Sequence, residues 1–470
     1  MNKTQKILVC VLIIVGFTFI WAGHYIKKII PPYPNIVFIL IDTLRADCVD
    51  PSLKPHPITP FLSSLAENSI YFSDAVTPCS WTKPTMATLF TGISPEKHQV
   101  RYSTINEDPN KPTSDVLPEK YLTLPEYLSQ YGYETYAVQT NGNLVPQLGF
   151  AQGFNPENYH FLLGAVASTV TQKAKEILSN AKSPFFLYLH YLDPHAPYSP
   201  PMEILEKVAN EQILSEEERE WTKPHKYMEY LTDLIKYRTK TKAEPPNFEY
   251  SNAGKQELHR LYLGEVLYVD TEVQKIVEFI KRNYPKTIFI ILSDHGEEFW
   301  EHNCVGHGTT LYEEQVRVPV IIHGWNAPPK NITKPVSTAG LANTILRLSN
   351  IPTPPQFEER DMLTIGESED ISSYMVTWGP WRELNIQLRG IIKFPWKLIE
   401  NIITGEIELY NLEEDSKEMV NISKTNEEIV KYLLNEMKNY ITNIEYTGVN
   451  TTELTTDIKS QLESLGYLGN

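Results

Sequence analysis

Buried-strand patterns and helical stripes alternate along most of the chain. Asn35 to Ile41 (NIVFILI) is a continuous apolar run rich in β-branched residues, the mark of a strand covered on both faces. FFLYLHY at 185–191, the run 287–292 and the run 318–322 read the same way, with shorter strands predicted at 70–72 and 134–140. Between them, spacing and capping residues predict helices over 59–67, 84–91, 121–131, 166–180, 256–282 and 338–348. The segment 215–243 is crowded with charge and predicts a surface helix or insertion with a solvated face. Pro352 to Pro355 punctuates the end of this region. Beyond it, 390–403 and 407–410 read as strands of a small sheet and 429–440 as a helix. Strand–helix alternation of this kind predicts an α/β sheet whose site lies at the carboxyl ends of its strands.

Ile7 to Gly23 is an uncharged run of 17 residues, extendable through Ile26, with Lys3 and Lys6 before it and Lys27 and Lys28 after it. It is long enough to cross a bilayer, and no small-x-small cleavage site follows. An uncleaved anchor is therefore expected ahead of a cleaved signal peptide, with the body of the protein outside the cytoplasm. The 470 residues carry 42 Lys+Arg against 58 Asp+Glu, a net charge of −16, which excludes a nucleic-acid partner that needs a basic face. Four cysteines are too few for a disulfide scaffold; Cys48, Cys79 and Cys304 allow one disulfide or a set of buried thiols.

Three predicted strands end in acids or acid–histidine pairs: Asp42, then Asp193 with His195, then Asp294 with His295. Any one of them reads equally well as a helix N-cap. Three on one sheet edge converge, and crowded carboxylates call for a cation. The His295 imidazole moves the expected ion from calcium towards manganese or zinc, with calcium still allowed. Thr82, in Ser80-Trp81-Thr82-Lys83-Pro84-Thr85, sits just before a predicted helix. Its hydroxyl is either a plain cap or a nucleophile facing an anionic ester held by the same helix dipole.

The segments NIVFILIDTLRAD, TKPTMATLFTG, FLYLHYLDPHAPY, YLGEVLYVDTEV, ILSDHGEEF, GHGTTLYEEQVRVPVII, ELYNLEEDSKEMVNI and the terminal SLGYLG resemble, in order and spacing, the sulfatase family of the alkaline phosphatase superfamily. The resemblance implies an α/β fold with a central mixed sheet flanked by helices and a small C-terminal α+β subdomain. After the expected anchor or signal over 1–30, it implies a catalytic domain over 31–355 and a subdomain over 356–470. Asp42, Asp294 and His295 would bind the metal, Thr82 would be the nucleophile, and His195 and His307 would be catalytic. Lys83, Asn141 and Asp193 would contact the substrate, Asp193 alternatively a second metal. Tyr268 and Asp270 fall at helix-packing positions, and His302 is a lesser candidate for a further metal ligand.

The departures from the family carry as much information. Family members place Cys or Ser in a C/S-x-P-x-R signature and oxidise it to formylglycine; here that residue is Thr82, and the arginine position holds Met86. The second acid after the first strand is Thr43, and Gln139-Thr140-Asn141-Gly142 replaces a Gly-Lys-Trp-His segment. No formylglycine is expected. An unmodified threonine implies phosphate or phosphonate ester chemistry, hydrolase or transferase, and the expected anchor suggests lipid head groups or envelope polymers as substrates. The rivals are a true sulfuric ester hydrolase and a catalytically silent binder of anionic glycans.

Overall fold

The computed structural model describes residues 33–465, apart from 54–55, 105–111, 210, 241, 243, 369–370 and 443–448. The expected anchor at 7–23 lies outside the described residues. Among those described, no helix is long and apolar enough to cross a membrane.

Eight strands form the main sheet: β1 (Asn35–Ile41), β2 (Ile70–Val76), β3 (Glu134–Gln139), β4 (Tyr159–Phe161), β5 (Phe185–Tyr191), β6 (Thr287–Leu292), β7 (Arg317–Gly324) and β8 (Lys330–Ile332). Their order is β8-β2-β7-β6-β1-β5-β3-β4. Every strand runs in one direction except β7, which is antiparallel to both β6 and β2. The sheet is therefore mixed, and β1 is central, paired in parallel with β5 and β6. All seven residues of β1 are buried. Alternation sends Ile36, Phe38 and Leu40 into one core and Val37, Ile39 and Ile41 into the other. Each such side chain contributes about 1.5–3 kcal/mol on burial, so this strand anchors both layers.

Helices cover both faces. On the first, α1 (Thr82–Thr91) packs Phe90 edge-on against Phe38 and Tyr188, at ring separations of 6.2 and 5.3 Å. This helix begins at Thr82, two residues ahead of the predicted start, because extended Trp81 occupies the cap position. On the second face, α2 (Ala167–Leu178) lies beside the 32-residue α4 (Asn252–Asn283). Asp270 of α4 accepts the Phe61 and Leu62 amides at the start of the short helix Pro60–Glu67, and the Tyr268 hydroxyl accepts the Ser168 amide. Both residues are thus structural, as expected.

The charged segment at 215–243 departs from its expectation. Its second helix, α3 (Pro224–Arg238), buries Tyr227, Met228, Tyr230, Leu231 and Ile235 in the second core. The charges between those positions mask an i, i+3, i+4 stripe that packs rather than faces solvent.

The C-terminal region adds an antiparallel sheet, β9 (Ser373–Thr377), β10 (Leu388–Lys393), β11 (Trp396–Asn401) and β12 (Ile407–Asn411), followed by α5 (Glu427–Thr442). Buried Lys397 of β11 ties it to the main body, 2.9 Å from Glu313 and 2.8 Å from Glu418. Cys48, Cys79 and Cys304 are free and buried.

Candidate active site and metal centre

The site stands on the carboxyl ends of β1, β3, β5 and β6, under the first turn of α1. Asp42 follows β1 directly, Asp294 and His295 follow β6 across Ser293, and Thr82 is the first residue of α1. All four are fully buried. One ligand atom each from Asp42, Asp294 and His295 lie within 4.8 Å of one another. Thr82 Oγ1 is 3.2 Å from His295 Nε2 and 3.5 Å from Asp42 Oδ2. The structure thus brings the three proposed metal residues and the proposed nucleophile to one point.

The chemistry of this donor set fits a cation. His295 Nδ1 lies 2.9 Å from the Gly296 carbonyl, which only accepts, so the proton is on Nδ1. The Nε2 lone pair then faces Asp42 Oδ1 at 3.5 Å and Asp294 Oδ2 at 3.4 Å. Both of those carboxylate oxygens are buried without a hydrogen-bond partner. Lone pairs gathered this closely repel unless a positive charge lies between them. Asp42 illustrates the balance. Burial pushes its pKa up, but the His190 hydrogen bond and the imidazoles of His195, His190 and His295 outweigh that and hold it far below the usual range. Asp294 lacks comparable help, and burial followed by the Asp42 charge pushes it up to about 6.

The chain beyond Asp42 is strained. Thr43 has φ +55°, a left-handed conformation unusual for a β-branched residue. Tyr262 of α4 holds this turn, its hydroxyl donating to the Thr43 carbonyl at 2.9 Å and accepting the Arg45 amide at 3.0 Å. The Leu44 amide donates to Ser293 Oγ at 2.9 Å, which locks the β1 and β6 exits together.

His195 and His307 meet edge-on beside the cluster, with ring centroids 4.8 Å apart and His307 4.3 Å from His295. Burial lowers the His195 pKa to about 4 and places His307 well below its ordinary value, so both rings are neutral at neutral pH. His195 Nδ1 donates to the Ala196 carbonyl at 2.6 Å, and His307 Nδ1 lies 3.2 Å from Glu297. Asn141 donates from Nδ2 to Asp42 Oδ2 at 3.0 Å, so it supports the candidate metal-binding carboxylate.

Two proposed substrate contacts make structural hydrogen bonds. Lys83 is buried, and its ammonium donates to the Tyr102 carbonyl at 3.0 Å and to Ser114 Oγ at 2.5 Å. Asp193 Oδ1 accepts the Ala167 amide at the start of α2, while its Oδ2 is buried without a hydrogen-bond partner. His302 has both ring nitrogens occupied, Nδ1 by Glu314 at 2.6 Å and Nε2 by the Glu418 carbonyl at 3.2 Å. Although Glu298, His302 and Glu314 are close enough to form a second metal group, His302 has no lone pair to offer.

Sequence reasoning missed His190 and Glu297. His190 Nε2 lies 3.0 Å from Asp42 Oδ2, and buried Glu297 faces His307. A histidine inside an apolar strand, and an acid two places after a metal histidine, were the signals available.

The family model described as Sulfatase matches residues 34–351. The Escherichia coli K12 protein named uncharacterized sulfatase YidJ is 24% identical over 439 residues, covering 83% of each chain. A solved 2-O GAG sulfatase superposes with TM-score 0.66 at 18% identity, covering 89% of this chain and 95% of its own. A phosphonate monoester hydrolase from Silicibacter pomeroyi superposes equally well, with TM-score 0.66 at 18% identity over 89% of this chain and 99% of its own. At such identities the solved structures speak for the fold. With the family model spanning more than half of its length, this chain belongs to the sulfatase family of the alkaline phosphatase superfamily and is an ester hydrolase of that kind.

Proposed function

We propose that the protein is a divalent-metal-dependent hydrolase or transferase of phosphate or phosphonate esters, with Thr82 as its nucleophile. The observation that carries this reading is the fully buried Thr82 hydroxyl at the start of α1, 3.2 Å from His295 Nε2 and beside Asp42. A secondary alcohol is not a formylglycine precursor, and Met86 replaces the arginine that accompanies one. A phosphothreonine is readily hydrolysed in a metal site, whereas a sulfothreonine lacks the hemiacetal route for expelling sulfate. The phosphonate monoester hydrolase among the structural neighbours supports the reading.

In the proposed mechanism Asp42, Asp294 and His295 hold the cation, which when bound supplies Lewis-acid polarisation of the ester and lowers the pKa of a nearby hydroxyl. Thr82 Oγ1 attacks in line, forming the new ester bond as the leaving oxygen departs. The first-turn amides of α1 face the anionic group. Neutral His195 and His307, whose Nδ1 atoms are held by the Ala196 carbonyl and Glu297, present Nε2 lone pairs; one of them would take the Thr82 proton and, once protonated, pass it to the departing oxygen. Water or an acceptor alcohol then resolves the adduct.

The chain enters the fold just before β1, at the amino edge of the sheet. Asp42 lies seven residues further on, about 23 Å at a strand rise of ~3.3 Å. With the N-terminal run as a membrane anchor and the domain outside the cytoplasm, the site would face away from the bilayer. That placement favours envelope polymers over head groups of the same membrane.

The test is turnover of aryl phosphate, bis-aryl phosphate, aryl phosphonate and aryl sulfate by the protein loaded in turn with manganese, zinc and calcium. Phosphoester or phosphonate turnover should fall on the order of a thousandfold or more in Thr82→Ala and survive in Thr82→Ser. Turnover of the sulfate alone would establish the second reading, a sulfuric ester hydrolase. That reading is favoured by the sulfatases among its relatives and structural neighbours.

A further inference from the structure

His190 interrupts an otherwise apolar strand, and the register of β5 explains what it reaches. His190 pairs with Leu40 of β1, and Asp42 follows two residues later on the same face. A diagonal cross-strand contact results, with His190 Nε2 3.0 Å from Asp42 Oδ2. The carboxylate only accepts, so Nε2 carries the proton. Tyr188, two residues earlier on that face, has its hydroxyl 2.8 Å from His190 Nδ1, where it donates to the remaining lone pair. All three side chains are fully buried. Asn141 Nδ2 donates to the same Asp42 Oδ2 at 3.0 Å. Oδ2 thus accepts two N–H donors, with Thr82 Oγ1 a further contact at 3.5 Å, while Oδ1, buried and without a hydrogen-bond partner, lies 3.5 Å from His295 Nε2.

We propose that His190, oriented by Tyr188, is a positioning residue that confines Asp42 to one ligand oxygen and thereby selects a small divalent cation such as manganese or zinc over calcium. The inference rests on the metal-centre reading above. Calcium takes six to eight oxygens, commonly with bidentate carboxylates at about 2.3–2.6 Å. A carboxylate held through Oδ2 offers only one, and the imidazole of His295 suits a transition metal better. Outer hydrogen bonds of this type alter metal affinity by about 10–100-fold.

Calorimetric titration of the metal-free full chain with manganese, zinc and calcium tests this on the wild type, His190→Ala, His190→Gln and Tyr188→Phe. His190→Ala should lower manganese affinity about 10–100-fold and reduce the manganese-to-calcium affinity ratio by about tenfold. His190→Gln, whose amide can still donate to Oδ2, should recover most of that ratio, and Tyr188→Phe should fall between. An unchanged ratio in His190→Ala overturns the proposal, as does a wild type that binds none of the three ions. Because a buried histidine variant can misfold, nitrogen-15 NMR of histidine-labelled wild type provides a second reading. A His190 ring protonated at Nε2 supports the arrangement; a ring protonated at Nδ1 alone overturns it. Selective binding without phosphoester turnover would support the selectivity inference and sink only the Thr82 reading.

Discussion

Asp294 shows at the residue scale how function and stability oppose each other in this site. Its Oδ2 is buried without a partner and lies on the same side as the equally unpartnered Asp42 Oδ1. Unsatisfied buried groups cost about 1–3 kcal/mol each. Asp294→Asn should therefore raise the stability of the metal-free protein by that order, as read by urea unfolding. In the same variant metal affinity should drop by more than about a hundredfold, since a direct ligand matters more than an outer-shell one. Loss of stability together with retained metal binding would contradict this account. Asp42, Thr82, Asp294 and His295 were legible in the sequence because each follows a strand or opens a helix. Adjacency to Thr82 says nothing about direction, and the Lys83 side chain points to Tyr102 and Ser114, which the sequence did not show.

Two neighbouring elements transmit constraints to the site. Gly296, next to His295, passes so close to the chain after β6 that a Cβ would lie 2.0 Å from the Glu314 carbonyl oxygen. Its amide also donates to the Gln315 carbonyl at 2.9 Å. Gly296→Ala must push these segments apart, and we expect a loss of about 2 kcal/mol or more together with weakened metal binding, measured by unfolding and by titration. A few residues on, the His302–Glu314 bond braces the same loop. Burial lowers the His302 pKa, but the Glu314 hydrogen bond and charge dominate and raise it to about 9. A histidine with a raised folded-state pKa stabilises fully below its unfolded value of 6.5, and the contribution disappears as pH rises through about 9. Urea unfolding across that window should show a falling stability that flattens in His302→Gln; identical slopes would remove His302 from the balance.

The largest-scale link is the attachment of the C-terminal sheet to the main body through Lys397. This lysine is fully buried between Glu313, which follows the loop carrying His307, and Glu418 beyond β12. Breaking a buried ion network by removing one partner costs about 3–5 kcal/mol, because the remaining charges stay desolvated. Lys397→Met should lower the urea midpoint accordingly. Double replacement with Glu418→Leu should recover part of the loss, which a simple packing defect would not.

The sequence alone determined the covalent inventory and its periodicity. Apolar runs of six or seven residues ending in acids established a buried sheet with a polar edge, since only strands covered on both faces are apolar at every position. The segments NIVFILIDTLRAD and ILSDHGEEF placed the candidate metal residues on that edge, and Thr82 with Met86 departs from the formylglycine signature. The tertiary structure decided what depends on register and direction. Only the pairing of β5 with β1 shows that His190, which reads as one more core residue in FFLYLHY, touches Asp42. Only packing reveals the buried stripe of α3 beneath its charges, and the antiparallel sense of β7. A sequence lists donors and acceptors one chain position at a time. Which of them share one buried point is set by contacts between residues 40 to 213 positions apart, and those exist only in the folded chain.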